Sequence, residues 1–142
     1  MNPNIVEYLQ LIQEPISRMS TISSIFKGFC ATIVAGIAGL SYADVSTTVL
    51  ILSFLPVLSF ASLDVYYLML EKKLRYLYNQ VLNGEHECDF HIDLIKYRDS
   101  AEMKKAGARI CDCIKSPSIW IFYPMMLGIV SIIIILRFKG VL

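Results

Sequence analysis

Three stretches of this chain carry no charge for close to the length that crosses a lipid bilayer, and no other feature limits its fold as strongly. The hydrocarbon core is about 30 Å thick and a helix rises about 1.5 Å per residue, so a span needs about 20 mostly apolar residues. Residues 28–43 are uncharged between Lys27 and Asp44. Residues 45–63 are uncharged too, and the apolar pattern continues past Asp64 to Leu70. Residues 116–136 complete the set, ending in Ile132-Ile133-Ile134-Ile135-Leu136. The first run is short, but Lys27 can extend its ammonium to the headgroups so that Phe26 joins the span, and Tyr42 suits the opposite interface.

Composition supports the same class. Hydrophobic residues make up 56% and charged residues 18% of the 142, whereas soluble domains carry about 25% charged residues. Three such runs leave too little polar sequence to cover them in water. The 13 Lys and Arg nearly balance the 12 Asp and Glu, for a net charge of +1. No basic excess marks a nucleic-acid binder, and none is expected.

Residues 1–27 are not expected to act as a cleavable leader, since they hold Glu7, Glu14 and Pro15 and lack a short apolar stretch behind a basic start. Ile5, Leu9, Ile12, Ile16, Met19, Ile22 and Phe26 instead recur at steps of three or four. The spacing predicts an amphipathic helix at the membrane surface or against another part of the protein, kinked at Pro15. Residues 71–82 continue the second span as a charged helix with Leu74, Leu77, Tyr78 and Val81 as its apolar stripe. Asn83-Gly84 should end it with a left-handed glycine. A loop over 85–93 and a helix over 95–113 should follow, and Ser116-Pro117 suits the cap and first position of the third span. The predicted order is an amphipathic helix at 1–27, spans at 26–43, 46–70 and 116–137, a helical segment at 71–115 between the last two, and a tail at 138–142.

Positive charge sets orientation. The 71–115 segment holds nine Lys and Arg, while the turn between the first two spans holds none. The N-terminus and residues 71–115 are therefore expected in the cytoplasm.

Several residues invite a chemical reading. Asp64, followed by Tyr66 and Tyr67, is expected at headgroup level, with an ion- or proton-facing role as the alternative. Pro56 in mid-span frees the Leu52 carbonyl and invites a bend, which serves as a gate or as a shape. Ala31, Ala35 and Gly39 recur every four residues beside a second row of Gly28, Thr32 and Gly36, a spacing that lets helix backbones approach within one protomer or between protomers. Lys72, Lys73 and Arg75 form a basic patch that anchors to anionic lipid, or meets an acidic protein partner or a nucleotide signal. Cys88, His91, Cys111 and Cys113 have zinc-ligand chemistry, but Cys111-Asp112-Cys113 departs from the two-residue gap of zinc knuckles. Free thiols, no metal and no cofactor are expected. No nucleophile elbow, phosphate-cradling glycine loop or His-Glu-x-x-His occurs, so the chain is not expected to be an enzyme.

Val6-Glu7-Tyr8-Leu9-Gln10, Ile16-Ser17-Arg18-Met19 and Phe26-Lys27-Gly28 resemble the opening of a group of short bacterial multi-span membrane proteins. The most specific stretch is Leu63-Asp64-Val65-Tyr66-Tyr67-Leu68-Met69-Leu70-Glu71 with Arg75-Tyr76-Leu77-Tyr78, although Met69 stands where a basic residue is expected. Asp89-Phe90, Ser116-Pro117-Ser118-Ile119-Trp120 and Phe122-Tyr123 also fit, so the resemblance covers nearly the whole chain. The architecture is similar to that of small two-helix membrane effectors of anti-phage systems. The resemblance implies an all-α protein of the bacterial inner membrane that forms homo-oligomers and perturbs the bilayer as a pore when triggered from the cytoplasm. Two alternatives stand beside it: a membrane subunit that anchors a cytoplasmic partner, and a phage holin or exclusion protein.

Overall fold

A computed structural model describes residues 3–41, 46–84, 104 and 107–139. Five helices account for most of them: α1 (Pro3–Leu40), α2 (Thr47–Leu52), α3 (Phe54–Leu82), α4 (Ile110–Ile114) and α5 (Pro117–Phe138). The protein is all-α, with no strand among the described residues. Three stretches are long and apolar enough to cross a membrane: Ile5–Leu40, Thr48–Leu82 and Pro117–Phe138. The expected 95–113 helix lies mostly outside the described residues, but it is not continuous to its end: Gly107 takes φ +58°, residues 107–109 are not helical, and α4 starts afresh at Ile110. Tyr42 and the 85–93 loop also lie outside them.

The amphipathic segment and the first span are one helix rather than two. Helix α1 runs through Pro15 without a break for 38 residues, about 57 Å of helix. That is nearly twice the bilayer core, so only part of it fits in hydrocarbon. The second span behaves differently. Helix α2 stops at Leu52, and Ser53 interrupts it before α3 begins. The Ser53 N–H and hydroxyl both donate to the Leu50 carbonyl, which tightens the turn. Pro56 is then the third residue of α3, within a first turn that has no use for its missing N–H.

The chain divides into two compact units, one of Met1–Ser23 with Val65–Ile114 and one of Ser24–Asp64 with Lys115–Leu142. In the first, Tyr8, Leu9, Ile12 and Ile16 of α1 form a buried cluster with Leu74, Leu77 and Val81 of α3. This is the predicted stripe on both helices, with Tyr8 added. At its end, Gly84 adopts φ +74° and its N–H donates to the Val81 carbonyl; this left-handed turn suits a residue without Cβ. Lys72 ties α3 to the backbone ahead of and within α4 by donating to the carbonyls of Gly107 (3.1 Å) and Asp112 (3.3 Å).

The second unit exposes many large apolar side chains. Helix α5 buries Ile119, Tyr123, Met126, Val130 and Ile133, while Trp120, Ile121, Met125, Ile132 and Ile135 face outward. Its start follows the expected cap, with Ser116 extended and Pro117 at the first position, but the Ser116 side chain makes no capping bond. Helix α2 packs against α5. Hydroxyls along the spans turn back on their own helices: Thr32 to the Gly28 carbonyl, Ser59 to Leu55, Ser62 to Leu58 and Ser131 to Leu127, at 2.8–2.9 Å. Where no water is present, this is how a lone hydroxyl stays satisfied.

The cluster of the first unit should respond to truncation as a packed core does. Leu77→Ala is expected to cost about 2–5 kcal/mol, against less than about 0.5 kcal/mol for Leu82→Ala at an exposed position. Thermal unfolding of the detergent-solubilised protein compares the two, and equal effects would contradict the packing described.

Candidate functional site

Asp64 is fully buried. Its Oδ2 accepts from the Lys27 ammonium of α1 at 2.7 Å and from the Tyr123 hydroxyl of α5 at 3.2 Å. The same hydroxyl lies 3.3 Å from the Phe60 carbonyl one turn earlier on α3, so its single proton is shared. Phe26 and Phe60 pack beside the pair with ring centroids 5.9 Å apart. Three helices of the second unit thus converge on one carboxylate.

The sequence places Asp64 at headgroup level beside Tyr66 and Tyr67 or on an ion or proton path, and the Lys27 ammonium toward the headgroups; it does not pair the two. The structure pairs them in the protein interior, where the Lys27 side chain keeps 19% exposure and Asp64 none. Stripping an ion of water costs several kcal/mol, and a nearby opposite charge is the usual compensation. The compensation is incomplete, because Asp64 Oδ1 is buried without a hydrogen-bond partner. An orphaned oxygen on an ionised group gives up its full hydration energy.

Sequence reasoning singled out Asp64 and missed its partners. The signal was available for Lys27, which stands about as far before the turn near residue 45 as Asp64 stands after it. Two spans joined by a short turn run antiparallel, so equal distances bring residues face to face. Nothing local distinguishes Tyr123 from the other aromatics of its span.

The other candidates are dispersed. Ala31 is half-buried and Ala35 and Gly39 are exposed, so this row does not pack inside the unit. A Cβ built on Gly28, Gly36 or Gly39 would meet nothing within 4 Å. Lys72, Lys73 and Arg75 do not act as one patch. Lys72 is engaged by backbone carbonyls, Lys73 is half-buried, and Arg75 donates from Nε to Glu71 Oε1 at 2.8 Å, with Nη2 ion-paired to the same oxygen. Of the zinc candidates, Cys88 and His91 lie outside the described residues, while Cys111 is exposed and Cys113 buried. Among the described residues no three His, Cys, Asp or Glu converge on a metal position. Burial pushes the Cys113 thiol up and Asp112 adds to the shift, against the opposing pull of the Lys72 charge.

Comparison with protein-family models, curated proteins and solved structures finds no match to this chain. The residues themselves therefore carry any functional argument.

The site makes an asymmetric prediction. Lys27→Met strands a fully buried carboxylate and should cost about 3–5 kcal/mol. Asp64→Asn leaves an ammonium that already touches solvent and can extend to it, so the loss should be smaller. The double variant should lose less than the sum of the two. Additive losses in thermal unfolding would show that the two side chains do not interact.

Proposed function

We propose that this chain is an inner-membrane effector of bacterial defence, which oligomerises and permeabilises the membrane when triggered from the cytoplasm. The observation that carries the reading is the Lys27–Asp64 pair with its orphaned Oδ1. Ionisable groups inside apolar spans are costly and mark ion paths or moving elements. A carboxylate that is paired yet not fully satisfied gains from a wetted arrangement, so this packing is one state of a two-state element. The break at Ser53 and the proline after it supply a point at which α2 and α3 change angle without losing further hydrogen bonds. In the open state the carboxylate faces water and favours cations.

Exposure of Ala35, Gly36 and Gly39 supports assembly. A small-residue row left exposed among the described residues is the kind of face on which a second copy packs closely in lipid. The concentration of positive charge in 71–115 supports a cytoplasmic position for that segment, where a trigger would act.

Induced expression should collapse the membrane potential, read with a potential-sensitive dye in cells that carry the neighbouring genes and are challenged with phage. Asp64→Asn and Pro56→Ala should reduce that collapse at equal membrane abundance, and Ala35→Leu or Gly39→Leu should shrink the oligomer in mild detergent. If wild-type expression never depolarises cells, the chain is instead an anchoring subunit for a cytoplasmic partner.

Orientation has its own test. The exposed Cys111 thiol should react with a membrane-impermeant maleimide only after cells are permeabilised, and Cys113 should react far more slowly because its thiol is buried and its thiolate is disfavoured. Labelling of Cys111 in intact cells would reverse the topology.

A further inference from the structure

We infer that the first unit carries a binding site for a phosphate-bearing anion, in a cleft of about 580 Å³ between α1 and α3. Gln13, Ser17, Ser20 and Thr21 line one wall, and Arg75 and Asn79 face them from the other. Ile16, part of the buried cluster, and Tyr78 also line the cleft. The volume falls within the usual range for small-molecule sites.

The lining decides the class of ligand. Seven of its eight residues end in a hydroxyl, amide, phenol or guanidinium, all of which donate hydrogen bonds, and none is a carboxylate. The two walls follow helical spacing: Gln13, Ser17, Ser20 and Thr21 fall on one face of α1, and Arg75 and Asn79 lie one turn apart on α3. A wall of donors around one cation suits a group with several acceptor oxygens and negative charge. A phosphate has both, and guanidinium matches its geometry.

Arg75 is held for this role. Its Nε donates to Glu71 Oε1 at 2.8 Å and its Nη2 lies 2.8 Å from the same oxygen as an ion pair, which holds the guanidinium beside Glu71 while its side chain keeps 58% exposure. Arginine has five N–H donors, so three remain without a protein partner among the described residues. Thr21 shows the complementary arrangement. Its hydroxyl donates to the Ser17 carbonyl at 3.0 Å and must release that bond to serve a ligand. The Glu71 carboxylate has a second consequence, since it offsets the charge of Arg75 and opposes any anion. Affinity is therefore set by a competition between Glu71 and the ligand for one guanidinium.

That competition gives a test in which two substitutions move binding in opposite directions. It uses the purified full-length chain, with inorganic pyrophosphate as a soluble probe in calorimetric titration. Phosphatidylglycerol against phosphatidylcholine serves as the lipid probe in native mass spectrometry. Arg75→Gln should weaken binding about tenfold or more, the scale of a charge-assisted hydrogen bond. Glu71→Gln should tighten it about three- to tenfold. Asn79→Asp places a carboxylate on an exposed position of the lining, where it should abolish binding without disturbing the buried cluster.

If pyrophosphate follows this pattern, the ligand is a soluble phosphate compound. If only phosphatidylglycerol follows it, the cleft takes a lipid headgroup. The inference is overturned if neither probe binds, or if binding is unchanged by Arg75→Gln, or if Glu71→Gln weakens it with the melting temperature intact. None of these outcomes depends on membrane permeabilisation, so the site stands or falls apart from the effector reading.

Discussion

The hydrocarbon core of a membrane offers no water, so every polar group within it must find a partner in the protein. In the second unit the buried polar contacts centre on Asp64. Lys27 supplies the charge, Tyr123 a hydrogen bond, and the two together bring α1 and α5 onto α3. Thr32, Ser59, Ser62 and Ser131 are satisfied by carbonyls one turn back in their own helices. Asp64 instead draws its partners from other helices and keeps one buried oxygen without a hydrogen bond. Replacing a buried ion pair by apolar groups often leaves stability unchanged or improved, so stability alone gives no reason to keep one.

The two long helices change character along their length. The early turns of α1 and the late turns of α3 each bury one narrow stripe, the ordinary pattern of helices that meet across an apolar seam in water. Helix α5 differs, for its outward residues are as apolar as its inward ones. A face of Trp120, Ile121 and Ile132 open to solvent would be an aggregation hazard in water and is ordinary in lipid. The three apolar helices therefore fit a membrane location by their exposed surface as well as by their length.

The basic residues after the second span show how an apparent patch separates into distinct tasks. On the sequence Lys72, Lys73 and Arg75 form one cluster. In the fold Lys72 turns to the backbone carbonyls near α4, and Arg75 turns to Glu71 and the cleft opposite the Ser17–Thr21 hydroxyls. Positions three residues apart on a helix share a face, but which acceptors that face meets is set by what packs against it.

Much of the architecture was legible in the sequence. The positions of the apolar helices follow from missing charge, the faces of α1 and α3 from a period of three to four, and the turn at Gly84 from a residue that tolerates positive φ. These are local properties, because a helix satisfies its own backbone and its burial pattern repeats within a few turns. The continuity of α1 through Pro15, the break at Ser53 and the outward turn of Ala35 and Gly39 depended on packing between segments. So did the environment of Asp64. Alone in an apolar run, an aspartate is compatible with a wet interface or a dry interior. The choice rests on whether a cation lies across from it, and Lys27, far away along the chain, comes within 2.7 Å only once the helices are side by side. The sequence by itself determined where water is excluded; the tertiary structure decided which charges share that exclusion, because a buried ion is stabilised through space and not along the chain.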